Sequence, residues 1–114
     1  MNTPTNILFI TADQWRGDCL SAVDHPCLKT PNLDRLAFEG VRFERFYANP
    51  FCSVTRAALM NGRATLVTGV SNRRGLPLHY PIMAEPFKDA GYATWMLGKW
   101  HLGGSRSNHF NTPD

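Results

Sequence analysis

Three short clusters hold residue types that could do chemistry: Asp13-Gln14, Cys52 with Arg56, and Lys99 with His101. Cys52 lies where the stretch FCSVTRAALMNGR begins to read as a helix. A helix N-terminus presents unpaired N–H groups and a partial positive charge, which suits an anionic oxygen or a thiolate. Arg56 follows four residues later, one turn on, so its guanidinium can reach the same mouth and bind or neutralise an anion. Those two residues alone favour a plainer reading, a buried thiol beside an arginine on a solvated face. Lys99 and His101 would share one side of a continuing strand, with Trp100 on the other. A cation beside a histidine can bind an anionic ester and protonate its leaving group. Exposed polar residues of an ordinary loop are the alternative. Asp13 reads either as a capping carboxylate or as an oxygen donor to a hard cation such as Ca²⁺, Mg²⁺ or Mn²⁺.

The elements that must position these clusters follow from the pattern of the chain. Residues 6–12 contain the continuous apolar run Ile7, Leu8, Phe9, Ile10, as in a strand covered on both faces, and Asp13-Gln14 close it. A loop is predicted over 16–29. A helix follows, with Thr30 as N-cap, Pro31 at its first position, Leu33, Leu36 and Ala37 on one face, and Gly40 as its stop. Residues 41–47 alternate as a half-exposed strand. A second helix is predicted over 53–61 with Gly62 as terminator, an irregular stretch over 63–81, and a third helix over 82–90 ending at Gly91. Residues 92–97 read as a strand, and about 105–114 as loop. This order argues an α/β architecture, in which ligands gather at the carboxyl ends of strands. All three clusters fall at such ends or at a helix start.

Composition narrows the function classes. The 114 residues, 43% hydrophobic and 18% charged, suit one globular domain. A formal charge of +3 suits a small anionic substrate, but no basic stripe argues for nucleic acid. No stretch approaches membrane-spanning length, and the N-terminus lacks the basic start and long apolar run of a signal peptide, so a cytoplasmic location is expected. Cys19, Cys27 and Cys52 form no CxxC, which leaves a zinc or disulfide framework unsupported and Cys19 and Cys27 as expected free thiols. Trp15, Trp95 and Trp100 read as core or pocket-wall residues. His25, His79 and His109 lack ligand-spaced companions, and Arg73-Arg74 reads as a solvated loop pair.

Four segments in order give these clusters a common meaning: NILFITADQWRGD, HPCLKTPNLDRLAFEGVRFERFYA, CSVTRAALMNGR and GYATWMLGKWHLGG. Together they resemble the N-terminal part of a sulfatase, in the alkaline-phosphatase-like superfamily, over residues 6–104. The Asp-Gln pair is most similar to the phosphonate monoester hydrolase and choline sulfatase branch. The resemblance implies the first segments of an α/β/α sandwich with a central, mostly parallel sheet. It also implies hydrolysis of sulfate monoesters, or of phosphonate or phosphate esters, with a divalent cation, Ca²⁺ before Mn²⁺ or Mg²⁺. Asp13 matches a metal-binding aspartate, and Gln14 a neighbouring position with a metal or substrate role. Cys52 matches the residue that a formylglycine-generating enzyme converts to formylglycine, whose hydrate attacks the ester and contacts the metal. Arg56 matches the arginine that supports it, and Lys99 and His101 the pair that binds the transferred group.

Two departures bear on that implication. The maturation signature of the family is C-x-P-x-R, whereas this chain reads Cys52-Ser53-Val54-Thr55-Arg56. Valine lacks the backbone restraint of proline, which argues against conversion of Cys52. Ser53 and Thr55 are hydroxyl nucleophiles by type but stand off the matching position. Second, 114 residues are a fraction of the family's fold, whose later segments supply further metal ligands. The chain on its own is then expected to bind metal weakly and to leave apolar faces for a C-terminal part or a second copy. A non-catalytic remnant or interaction module is the competing reading.

Overall fold

The computed structural model describes residues 5–71 and 73–103. His109 and the predicted loop over 105–114 lie outside the described residues. The chain divides into two compact units, Met1–Phe46 and Tyr47–Asp114.

In the first unit, a 3₁₀ turn, Ser21–Val23, precedes helix α1, Pro31–Glu39. The helix starts at the expected proline, whose fixed φ and missing N–H suit the first helical position. Thr30 does not cap it through its side chain. The Thr30 hydroxyl instead donates to Asp34 Oδ1 at 2.9 Å and accepts from the Ser21 amide at 2.9 Å. Asp34 also accepts from Ser21 Oγ at 2.6 Å and from the Ala22 amide at 2.9 Å. The Ser21 amide donates to the threonine oxygen where a helix amide would otherwise donate, which explains the difference from the sequence expectation. These donors hold the Asp34 carboxyl below its usual range, the Ser21 hydrogen bond contributing most.

The second unit has the core. Helix α2, Cys52–Asn61, is followed by a single helical turn α3, Thr65–Thr68, and by α4, Ala84–Asp89. Gly62 ends α2 at φ 70°, the left-handed conformation that glycine adopts without steric cost, and its amide donates to the Ala58 carbonyl at 2.8 Å. Ala57, Val70, Leu76, Ile82 and Leu102 form the buried cluster, with Met60, Tyr80, Ala84 and Trp100 packed against it. Ser53, Ala57 and Met60 share the inward stripe of α2 at the spacing of helical neighbours. The C-terminal end of α2 is tied to residues 80–83. Asn61 Nδ2 donates to the Pro81 carbonyl at 2.6 Å, and the Met83 amide to the Met60 carbonyl at 2.6 Å. Tyr80 Oη donates to the Val67 carbonyl at 2.9 Å, with Arg63 over its ring at 5.7 Å.

Four expectations are corrected here. Residues 6–12, 41–47 and 92–97 carry no β-ladder, and the only bridge among the described residues joins Ser71 and Arg74. The apolar run is correspondingly exposed, Leu8 at 85% and Ile10 at 76%. A hydrophobic pattern specifies that a segment is to be covered, whereas its ladder depends on a non-local partner reached through a crossover. Trp15 and Trp95 are exposed and line no core, unlike Trp100. Helix α3 interrupts the stretch predicted irregular. Helix α4 begins two residues late, because a helical Ile82 carbonyl would meet the ring of Pro86 four residues on. No helix among the described residues is long and apolar enough to cross a membrane.

Candidate active site

Helix α2 opens without a side-chain cap, Phe51 standing in the extended conformation before it. The first amides of the helix, from Cys52 on, are therefore not satisfied by a cap. Burial of Ser53 and Ala57 fixes the rotation of the helix and leaves Cys52 and Arg56, each half-buried, on the flank beside the inward stripe. The Ser53 hydroxyl is buried with no hydrogen-bond partner.

The other half of the site is the turn over residues 98–103. It contains three left-handed residues, Gly98 at φ 95°, His101 at φ 58° and Gly103 at φ 109°. For histidine this conformation is strained and persists only where surrounding contacts impose it. Those contacts are visible. Leu102 is buried in the core, Trp100 packs on the core, and the Leu76 amide donates to the Leu102 carbonyl at 3.0 Å. Lys99 and His101 are exposed between these anchors.

Two contacts join helix and turn. Cys52 Sγ lies 3.1 Å from His101 Nδ1, the direction of the hydrogen bond following the imidazole tautomer. Arg56 donates from one terminal nitrogen to the Lys99 carbonyl at 2.6 Å. Cys52, Arg56, Lys99 and His101, 49 residues apart at the extremes, thus meet at one helix mouth. The alternation expected of a strand survives in part, Trp100 facing the core and its neighbours facing solvent, although a turn and not a strand produces it.

Asp13 and Gln14 belong to the first unit. Gln14 is left-handed at φ 57°, so two of the three non-glycine residues with positive φ among those described are Gln14 and His101. Neither has a sequence signal for it, since side-chain residues with positive φ are uncommon. Nearby, Arg16 Nε donates to Asp18 Oδ1 at 2.9 Å and Nη2 pairs with Oδ2, a bidentate contact that lowers the Asp18 pKa and raises that of Arg16. Among the described residues no three His, Cys, Asp or Glu side chains cluster to hold a metal ion. A hard cation takes six or more oxygens, so the described residues do not by themselves fit a complete site; of the residues expected to bind metal, Asp13 lies in the first unit and Cys52 in the second. Cys19, Cys27 and Cys52 are free thiols.

Comparison with known proteins gives this site a lineage. The profile of the Sulfatase family matches residues 5–113. The chain belongs to the Sulfatase family. It is 43% identical over 110 residues to an ulvan-active sulfatase of Formosa agariphila, covering 95% of this chain and 22% of that one. Human arylsulfatase A is 42% identical over 118 residues, covering 96% and 23%. The N-acetylgalactosamine-6-sulfatase of Canis lupus familiaris is 40% identical over 115 residues, covering 88% and 22%. A solved structure of a protein in complex with its substrate, D-glucosamine-2-N,6-O-disulfate, superposes with a TM-score of 0.75 at 32% identity, over 82% of this chain and 19% of that one. The chain spans about a fifth to a quarter of the length of these sulfatase relatives. The cluster on α2 and the 98–103 turn lies within the matched region.

Proposed function

We propose that the protein hydrolyses sulfate esters, with residue 52 as the nucleophile position and His101 as its proton-handling partner. The observation that carries this reading is the 3.1 Å contact of Cys52 Sγ with His101 Nδ1 at an uncapped helix N-terminus, in a chain of the Sulfatase family. Cys52 Sγ stands where formylglycine, if formed, would present its oxygen. His101 then holds or delivers a proton at that atom, which general acid–base catalysis requires at hydrogen-bond distance. The helix amides and the ammonium of Lys99 favour the negative sulfate oxygens. Arg56 keeps Lys99 and His101 at the mouth through the Lys99 carbonyl.

Asp13 and Gln14 would serve a divalent cation and the substrate in the same reaction, Ca²⁺ before Mn²⁺ or Mg²⁺, all of which take oxygen donors; these two residues alone do not complete its ligand set. Residues 6–12, 41–47 and 92–97 would be strands of the central sheet in a complete α/β/α domain. The substrate class is a sulfated sugar or aryl alcohol, in line with the named activities of the relatives; phosphonate esters are the competing class suggested by Asp13-Gln14. A panel of sulfate, phosphate and phosphonate monoesters offered to the product of the complete reading frame separates them. Turnover fastest on sulfate esters supports the proposal, and turnover on phosphonates alone defeats it.

Val54 favours a second reading, in which Cys52 stays a thiol and the protein does not hydrolyse esters. Peptide mass spectrometry across residues 51–56, after expression beside a formylglycine-generating enzyme, decides between them. A thiol alone removes the hydrate route; the mass of formylglycine removes the remnant reading.

A further inference from the structure

The structure assigns Gly75 the role of a positioning residue for His101. In the sequence it is one of two glycines in the stretch 63–81 without regular pattern, and its φ lies outside the left-handed range. Gly75 is not among the glycines with positive φ, so the left-handed freedom of glycine does not explain it. Its surroundings do. A Cβ added at Gly75 would stand 2.8 Å from the Leu102 carbonyl carbon and 2.9 Å from Gly103 Cα, and closer still to the Leu102 oxygen. All three atoms are backbone, so no side chain can rotate away to relieve the clash. The next residue completes the docking, the Leu76 amide donating to that same Leu102 carbonyl at 3.0 Å.

The consequence reaches the site because Leu102 follows His101 directly. The strained φ of 58° at His101 is held between two attachments: Arg56 to the Lys99 carbonyl before it, and Gly75-Leu76 to the Leu102 carbonyl after it. A methyl group at residue 75 pushes the second attachment off and lets the His101 φ relax, which withdraws Nδ1 from residue 52. Gly103, at φ 109°, faces Gly75 from the other side, its own added Cβ lying 3.6 Å from Gly75 Cα. That distance is an ordinary contact, so the steric demand of this approach falls on residue 75. The catalytic meaning of this placement rests on the chemistry proposed for residue 52; the placement itself does not.

The test therefore reads geometry rather than turnover. The chain is expressed without a formylglycine-generating enzyme, so that residue 52 is a thiol, and the nuclear Overhauser contact between His101 Hε1 and the Cys52 β protons is recorded. Gly75→Ala is expected to lose that cross-peak while the contacts of Ala57 with Ile82 persist. Gly17→Ala, where an added Cβ meets nothing within 4 Å, is expected to retain it. Retention in Gly75→Ala at wild-type intensity overturns the inference, whatever ester the protein hydrolyses. Should Gly75→Ala fail to fold, amide exchange in the unmodified chain decides. Protection of the Leu76 amide to the level of the α2 amides supports the docking, and exchange at the rate of an unstructured peptide overturns it.

Discussion

Leu102→Ala is the substitution that most directly connects the core to the candidate site. Leu102 is 1% exposed and packs with Ala57, Val70, Leu76 and Ile82, and it follows His101 directly in the chain. Removing a fully buried leucine side chain costs about 2.7–5 kcal/mol, more where the surroundings cannot collapse into the space. Five buried apolar residues among those described make a small core with partly exposed neighbours, which relaxes more readily than a large one. The lower part of the range, about 3 kcal/mol, is the expected cost. A unit of this size has a stability of roughly 3–10 kcal/mol, so the loss is a large fraction of the whole. Urea unfolding followed by far-ultraviolet circular dichroism measures it. With a slope of about 1 kcal/mol/M for a small unit, the midpoint falls by about 3 M. Leu66→Ala, at a leucine 98% exposed, is the reference and is expected within about 0.5 kcal/mol of wild type. If Leu102→Ala costs no more than Leu66→Ala, the described core does not hold the 98–103 turn.

Arg56→Lys keeps the charge but loses the planar donor to the Lys99 carbonyl. Hydrogen bonds to charged groups are worth about 1.5–3 kcal/mol, so kcat/KM for a sulfate ester is expected to fall roughly 10- to 100-fold. An unchanged value would remove Arg56 from the positioning of the turn. Tyr80→Phe deletes the hydroxyl that donates to Val67, an expected loss of about 1 kcal/mol that thermal unfolding detects. The Asp34 carboxyl is held below its ordinary value of 3.8 in the folded chain by Ser21, Thr30 and Ala22. A depressed folded-state pKa gives stability that is present above the unfolded value and is lost as pH falls through the folded one. Acid titration of the α1 helical signal should accordingly show loss beginning below pH 3.8, and Asp34→Asn should flatten it. An identical acid limb in both proteins would contradict the network.

Helix ends and their punctuation were legible from residue type. Pro31 starts α1 and Gly62 stops α2 because each residue has one backbone property that decides the matter locally. The meeting of Cys52 with His101 had a different basis: nothing in either segment encodes it, and only the ordered set of four motifs pointed to one site. Thr30 misled because the Ser21 amide, nine residues earlier, donates to its hydroxyl oxygen in place of a helix amide, which spacing alone does not reveal. The apolar run at 7–10 encodes burial without encoding a partner, so the predicted ladder is not formed among the described residues. Positive φ at Gln14 and His101 was not legible, since even histidine, a type enriched there, adopts it only rarely. Gly75 was visible as a glycine but not as a contact, because its constraint comes from a segment 27 residues later.

The central claim, that residue 52 carries hydrolysis of a sulfate ester, is tested most directly by sulfate release from the product of the complete reading frame before and after Cys52→Ala. Cys52→Ala is expected to lower kcat by at least about 10³-fold while the protein remains folded, as loss of a nucleophile does. Release of sulfate at the wild-type rate from the Cys52→Ala protein would contradict it.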